Sequence, residues 1–119
     1  MIKVIVVDDE RFVRMGIVGE TDWASLGCEV VGEAENGLDA LELVHEKNPD
    51  LMICDIRMPK MNGLEMLKKL REEKNPVQVI FLTAYSEFSY AREALKLYAF
   101  DYLLKPFEDG ELENAILRA

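Results

Sequence analysis

Apolar and polar positions follow two rhythms along this chain, and the two take turns. Short, mostly apolar runs stand at Ile2 to Val7, Leu51 to Cys54, Val79 to Leu82 and Phe100 to Leu104. Ile2 to Val7, β-branched and nearly all apolar, predicts a strand covered on both faces; Leu51 to Cys54, apolar throughout, and Val79 to Leu82 predict buried strands, and Phe100 to Leu104 predicts the last strand. Cys28 to Glu33 predicts a further strand, more polar around Val30 and Val31, as suits a sheet edge.

Between these runs the apolar spacing changes to three and four. Phe12, Met15, Gly16 and Gly19 fall on one helix face, where the two glycines either weaken the helix or let it lie close to the sheet. Asn36 with Asp39 three residues later predicts a capped helix with Leu38, Leu41 and Val44 as its inner stripe, ending before Asn48-Pro49. Asn62 with Glu65 repeats that pattern ahead of Leu64, Leu67 and Leu70, and Asn75-Pro76 closes the helix. Ser86 predicts the cap of a helix carrying Phe88, Ala91 and Leu95, and the last helix, from near Asp109, keeps Leu112, Ala115 and Ile116 together. Five strands alternating with five helices imply right-handed βαβ units, hence a doubly wound α/β domain with a five-stranded parallel sheet and helices on both faces.

Composition narrows this picture. With 119 residues, half of them hydrophobic, the chain fits one domain with an ordinary core. No apolar run exceeds four residues, against the roughly 18 that a membrane span needs. Met1 to Asp9 lacks the long apolar region of a signal peptide, which places the expected protein in the cytoplasm. Cys28 and Cys54 match no disulfide framework or zinc spacing and read as reduced core residues. Fourteen Lys and Arg against 23 Asp and Glu give a net charge of −9, which repels phosphate backbones and anionic lipid, so neither nucleic acid nor membrane is an expected partner of this chain.

Ligands of doubly wound sheets bind outside the carboxyl ends of the strands, so the residues that end each strand carry the chemical information. Strand one ends in Asp8-Asp9, strand three in Asp55, strand four in Thr83 and strand five in Lys105. Each has an ordinary reading, as a turn residue, a helix cap or a solvated lysine. Gathered at one edge, the carboxylates repel one another and call for a cation; hard oxygen donors favour Mg²⁺. Lys105 and the Thr83 hydroxyl can then hold an anion, which points to phosphoryl chemistry with Asp55, at the end of the central strand, as a candidate nucleophile.

Four motifs in order, Val6-Val7-Asp8-Asp9-Glu10, Asp55 to Gly63, Leu82-Thr83-Ala84-Tyr85 and Asp101 to Phe107, resemble the receiver domain of two-component response regulators over essentially the full length. Trp23 to Gly37 and the Phe88 to Leu97 helix further resemble receivers joined to AraC-type helix-turn-helix output domains. The resemblance implies a flavodoxin-like strand order 2-1-3-4-5 and one receiver domain over residues 1–119, the N-terminal piece of a larger regulator whose DNA-binding output domain lies outside this chain. It implies that Asp55 accepts a phosphoryl group from a sensor histidine kinase. Asp9, Asp55 and the Arg57 backbone carbonyl would ligate Mg²⁺, with Asp8 acting through water. Lys105 would pair with Asp55 or the phosphoryl group, and Thr83 with the Ala84 amide would bind phosphoryl oxygens. Thr83 and Tyr102 would form the switch, and Lys105-Pro106 matches a site usually cis. The face built by the Ser86 to Lys96 helix, strand five and the last helix would change, with a homodimer as one outcome; catalysis would be limited to the domain's own phosphorylation and dephosphorylation.

Several residues stand outside this pattern. Tyr98 occupies a position where the family commonly has glycine, and a left-handed helix end would cost tyrosine about 1–2 kcal/mol, so a different local end is expected. Arg57 and Tyr85 either shield a phosphate or lie idle on the surface, and His45 reads as a surface or boundary residue. Trp23 and Leu26 are expected to pack over the loop after the first helix. Three rivals remain at this stage. A stand-alone receiver would act by protein contact alone. A dehalogenase-like Mg²⁺-dependent phosphatase would need Asp-x-Asp where Asp55-Ile56-Arg57 stands, and a flavodoxin would need a phosphate loop where Asp8-Asp9-Glu10-Arg11 stands.

Overall fold

Five parallel strands form one sheet in the order β2-β1-β3-β4-β5: β1 Ile2–Val7, β2 Cys28–Ala34, β3 Leu51–Asp55, β4 Gln78–Thr83 and β5 Asp101–Leu104. The structure is a computed structural model that describes residues 1–83, 92–94, 96–104 and 110–119, without the side chains of Thr83 and Leu104. Helix α1 spans Arg11–Glu20, α2 Gly37–Lys47, α3 Gly63–Glu72 and the last helix Glu111–Arg118; residues 92–94 and 96 are also helical. The caps predicted at Ser86 and near Asp109, and the apolar face of Phe88, Ala91 and Leu95, lie outside the described residues.

Strand alternation sorts the core onto two sides of the sheet. Ile5, Val7, Met52, Cys54, Val79 and Phe81 face α2 and α3 through Ala40, Val44, Met66, Leu67 and Leu70. Val4, Val6, Ile53, Ile80 and Leu82 face α1 and the last helix through Ile17, Leu112, Ala115 and Ile116. The polar β2 is an edge strand, as its composition requires, and its pairing with β1 slips by one residue between Val4 and Ile5. Both cysteines are free and buried. Trp23 packs into the second cluster with Leu26 against it, and its indole donates to the Val18 carbonyl at the end of α1.

Local signals explain the helix ends. The Asn36 side chain accepts from the Asp39 amide, and Asn62 and Glu65 form a reciprocal capping box. Asn48 ends α2 in the left-handed conformation, ahead of Pro49. Two inner stripes differ from expectation. Phe12 is 86% exposed and Met15 is exposed, whereas Ile17 is buried and Val13 and Val18 pack against the core, so α1 presents its other apolar stripe to the sheet. A Cβ at Gly16 or Gly19 would meet open space, so neither glycine serves a close approach. In α2, Leu38 is exposed and Ala40 takes its place inside.

Tyr98 is the third difference. Its φ is 59°, so the left-handed helix end is kept without glycine. The Ala99 amide bonds back to the Ala94 carbonyl, and Arg71 from α3 donates to the carbonyls of Leu97 (2.8 Å) and Tyr98 (3.2 Å). A guanidinium spanning two carbonyls at the turn offsets the strain that tyrosine carries there.

Candidate functional site

Strand register gathers the strand ends at one edge. Val7 pairs with Cys54, which sets Asp8 and Asp55 at the next level, and Asp55 pairs with Leu82, one residue before Thr83. Thr83 in turn pairs with Leu104, the residue before Lys105. Lys105, Ala84, Tyr85 and the Lys105-Pro106 bond lie outside the described residues, as does the Thr83 side chain.

One oxygen from each of Asp8, Asp9, Glu10 and Asp55 falls within 4.8 Å of the others. Asp8 and Asp55 are buried, at 1% and 6% exposure, while Asp9 and Glu10 are exposed. Mg²⁺ holds oxygens at about 2.1 Å, so opposed ligands sit about 4.2 Å apart, close to the spread of these four. Hard carboxylates at this spacing fit a divalent ion that keeps several of its waters. Glu10 is a member that the sequence reading missed, although it directly follows Asp8-Asp9 in the same acidic run.

Helix capping does not explain these acids. The N-cap of α1 is Glu10, and its side chain makes no cap bond. Asp8 Oδ1 accepts instead from the Glu10 amide at 2.9 Å, and Arg14 from α1 donates to the Asp8 carbonyl at 2.6 Å and to Glu33 at 3.1 Å. Asp55 Oδ1 accepts from the Ile56 amide at 2.8 Å.

The loop after Asp55 is tied down at both ends. Ile56 is fully buried and its carbonyl accepts from Gly63, while the Met61 carbonyl accepts from Gly37 at the start of α2. Arg57 is exposed in this loop, two residues past Asp55. Tyr102 on β5 is half-buried and packs against the α2 and α3 side of the core. His45 lies away from the cluster, exposed on α2 and bonded to Glu73. Among the described residues, no helix is long and apolar enough to cross a membrane.

A sheet ordered 2-1-3-4-5 with acids at the ends of its first and third strands defines a receiver, and the comparisons agree. The family model described as response regulator receiver domain matches residues 4–117, and the chain belongs to that family. It is 40% identical over 116 residues to the uncharacterised transcriptional regulatory protein YesN of Bacillus subtilis, covering 98% of this chain and 32% of that protein. It is 43% identical over 122 residues to the transcriptional regulatory protein BtsR of Salmonella typhimurium, covering 99% of this chain and 48% of that protein. The chain thus spans a third to a half of the length of these relatives. Among solved structures, the REC domain of the response regulator AraT from Geobacillus stearothermophilus superposes with a TM-score of 0.89 at 42% identity, over 98% of this chain and 90% of that one. The protein is a receiver domain of a two-component response regulator, in a family whose role is signalling.

Proposed function

We propose that this receiver is a phosphorylation switch in which Asp55 takes a phosphoryl group from a phosphohistidine on a sensor kinase. The observation that carries the reading is the convergence of Asp8, Asp9 and Asp55 oxygens at one rim of the sheet, with Asp55 only 6% exposed. An Asp55 oxygen attacks phosphorus, the phosphorus–nitrogen bond breaks, and the histidine nitrogen leaves with its electron pair and takes up a proton. Mg²⁺ held at this rim would supply charge neutralisation for the transfer. Asp9, Asp55 and the Arg57 carbonyl are its proposed direct ligands, with Asp8 acting through water. Lys105, Thr83 and the Ala84 amide receive the phosphoryl oxygens. Water later attacks the same phosphorus and returns the carboxylate, so the domain catalyses only its own modification.

A phosphoryl group adds about −1.5 to −2 charge and three acceptors. Charge-assisted bonds to Thr83 and Lys105 then bias the segment that follows β4 by a few kcal/mol. Tyr102 follows that shift, and the face built from the Ser86 to Lys96 helix, β5 and the last helix presents the signal, by homodimerisation or by partner docking. Residues 1–119 are read as the receiver of a longer cytoplasmic regulator whose output domain binds DNA, in keeping with the transcriptional relatives.

The test is intact mass after incubation with acetyl phosphate and Mg²⁺. Wild type gains one phosphoryl group and Asp55→Ala gains none; equal labelling of both proteins, or of neither, defeats the proposal.

A further inference from the structure

The acid loop is held from behind by one cation that no receiver motif includes. The Arg14 side chain spans from the Asp8 backbone to the end of β2: Nη1 donates to the Asp8 carbonyl at 2.6 Å and Nε to Glu33 at 3.1 Å. That side chain is 15% exposed and its bond to the Asp8 carbonyl is part-buried, whereas the Glu33 carboxylate, 43% exposed, faces solvent. The Asp8 carbonyl belongs to the peptide that joins Asp8 to Asp9. Restraining that planar peptide restrains the Cα atoms of Asp8 and Asp9, from which the two carboxylates project.

We propose that Arg14 is a positioning residue that keeps the Asp8 and Asp9 carboxylates converged on Asp55 before any cation arrives. This rests on the metal-dependent reading above. Four mutually repelling carboxylates would otherwise spread in the metal-free protein, and the ion would have to reorder them on binding. Arg14 and Glu33 together carry no net charge, so the pair does not oppose a cation strongly. The planar fork matters because it reaches two acceptors at once, which an ammonium on a flexible stem does not reproduce. Outer contacts of this kind are worth about 10-fold or more in metal affinity.

Mg²⁺ titration calorimetry on wild type, Arg14→Met and Arg14→Lys tests the proposal, together with amide exchange in the metal-free proteins. Both variants are expected to bind Mg²⁺ about 10-fold more weakly. In both, the Glu10 amide, which donates to Asp8 Oδ1, should exchange several-fold faster while the Val6 and Ile53 amides keep their protection. Wild-type or tighter Mg²⁺ affinity in Arg14→Met overturns the proposal, as does full rescue by Arg14→Lys, which would make charge the whole contribution. If wild type itself takes up no Mg²⁺, the metal-dependent reading fails separately, and the Glu10 amide still decides whether Arg14 orders the acid loop: unchanged exchange in both variants overturns it.

Discussion

A methyl group added to Gly63 would stand 2.5 Å from the backbone carbonyl oxygen of Asp55 and 3.0 Å from the ring of Phe81. The first helical residue of α3 therefore sits against the proposed phosphoacceptor, and its amide donates to the Ile56 carbonyl next door. Backbone cannot yield as a flexible side chain can. Gly63→Ala is expected to cost about 1–3 kcal/mol by chemical denaturation. In the fraction that folds, labelling of Asp55 by acetyl phosphate should fall. Wild-type stability and labelling would mean that the loop has room to move.

Tyr98 carries a removable strain. It is 81% exposed and left-handed, so glycine loses little packing and relieves about 1–2 kcal/mol, less the entropy that glycine adds to the unfolded chain. Tyr98→Gly is expected to stabilise by about 0.5–1 kcal/mol. Arg71→Met removes donors from three carbonyls, those of Leu97, Tyr98 and Asn75, and should destabilise by about 1–3 kcal/mol. Urea midpoints of both variants check the signs, which should be opposite.

The acid cluster should make stability respond to Mg²⁺. A ligand at ten times its dissociation constant stabilises by about 1.4 kcal/mol, so the thermal midpoint should rise with Mg²⁺ and fall back with chelator. Asp9→Asn removes one like charge from the cluster. Its metal-free form should be at least as stable as wild type, and its response to Mg²⁺ should vanish. Persistence of the full shift would place the ion elsewhere.

Burial pushes the Cys28 thiol above its ordinary value. The folded state therefore holds its proton where the unfolded state has begun to release it. Stability from this group is fully present below the ordinary thiol pKa and is lost as pH rises from there through the folded value. Native protein should react slowly with iodoacetamide at mildly alkaline pH, and Cys28→Ser should flatten the alkaline decline in stability. Rapid native alkylation at Cys28 would contradict this.

The strands were legible because their signal is redundant: each central strand is apolar on both faces, so no choice of face is needed to find it. Helices require that choice, and α1 shows where it fails. Phe12 and Met15 form one apolar stripe and Val13, Ile17 and Val18 another, and Arg14 lies with the second, held by the Asp8 carbonyl and Glu33. Long-range bonds of that kind turn the helix and leave no periodic trace. Tyr98 failed for a similar reason, since intrinsic cost argued against a left-handed tyrosine while the compensating Arg71 sits 27 residues away. Asp8, Asp9 and Asp55 were legible because strand ends in a parallel sheet share an edge whatever the details of packing. Glu10 and Arg14 were not, because their part depends on how the first turn of α1 leaves that edge.

The decisive measurement is a crystal structure with Mg²⁺ and beryllofluoride, a stable stand-in for an acyl phosphate. Density for the ion should lie between Asp9 and Asp55, with the beryllium joined to an Asp55 oxygen and fluorides near Thr83 and Lys105. An ion bound away from Asp8, Asp9 and Asp55, or a carboxylate at Asp55 left unmodified at saturating beryllofluoride, would contradict the switch at its root.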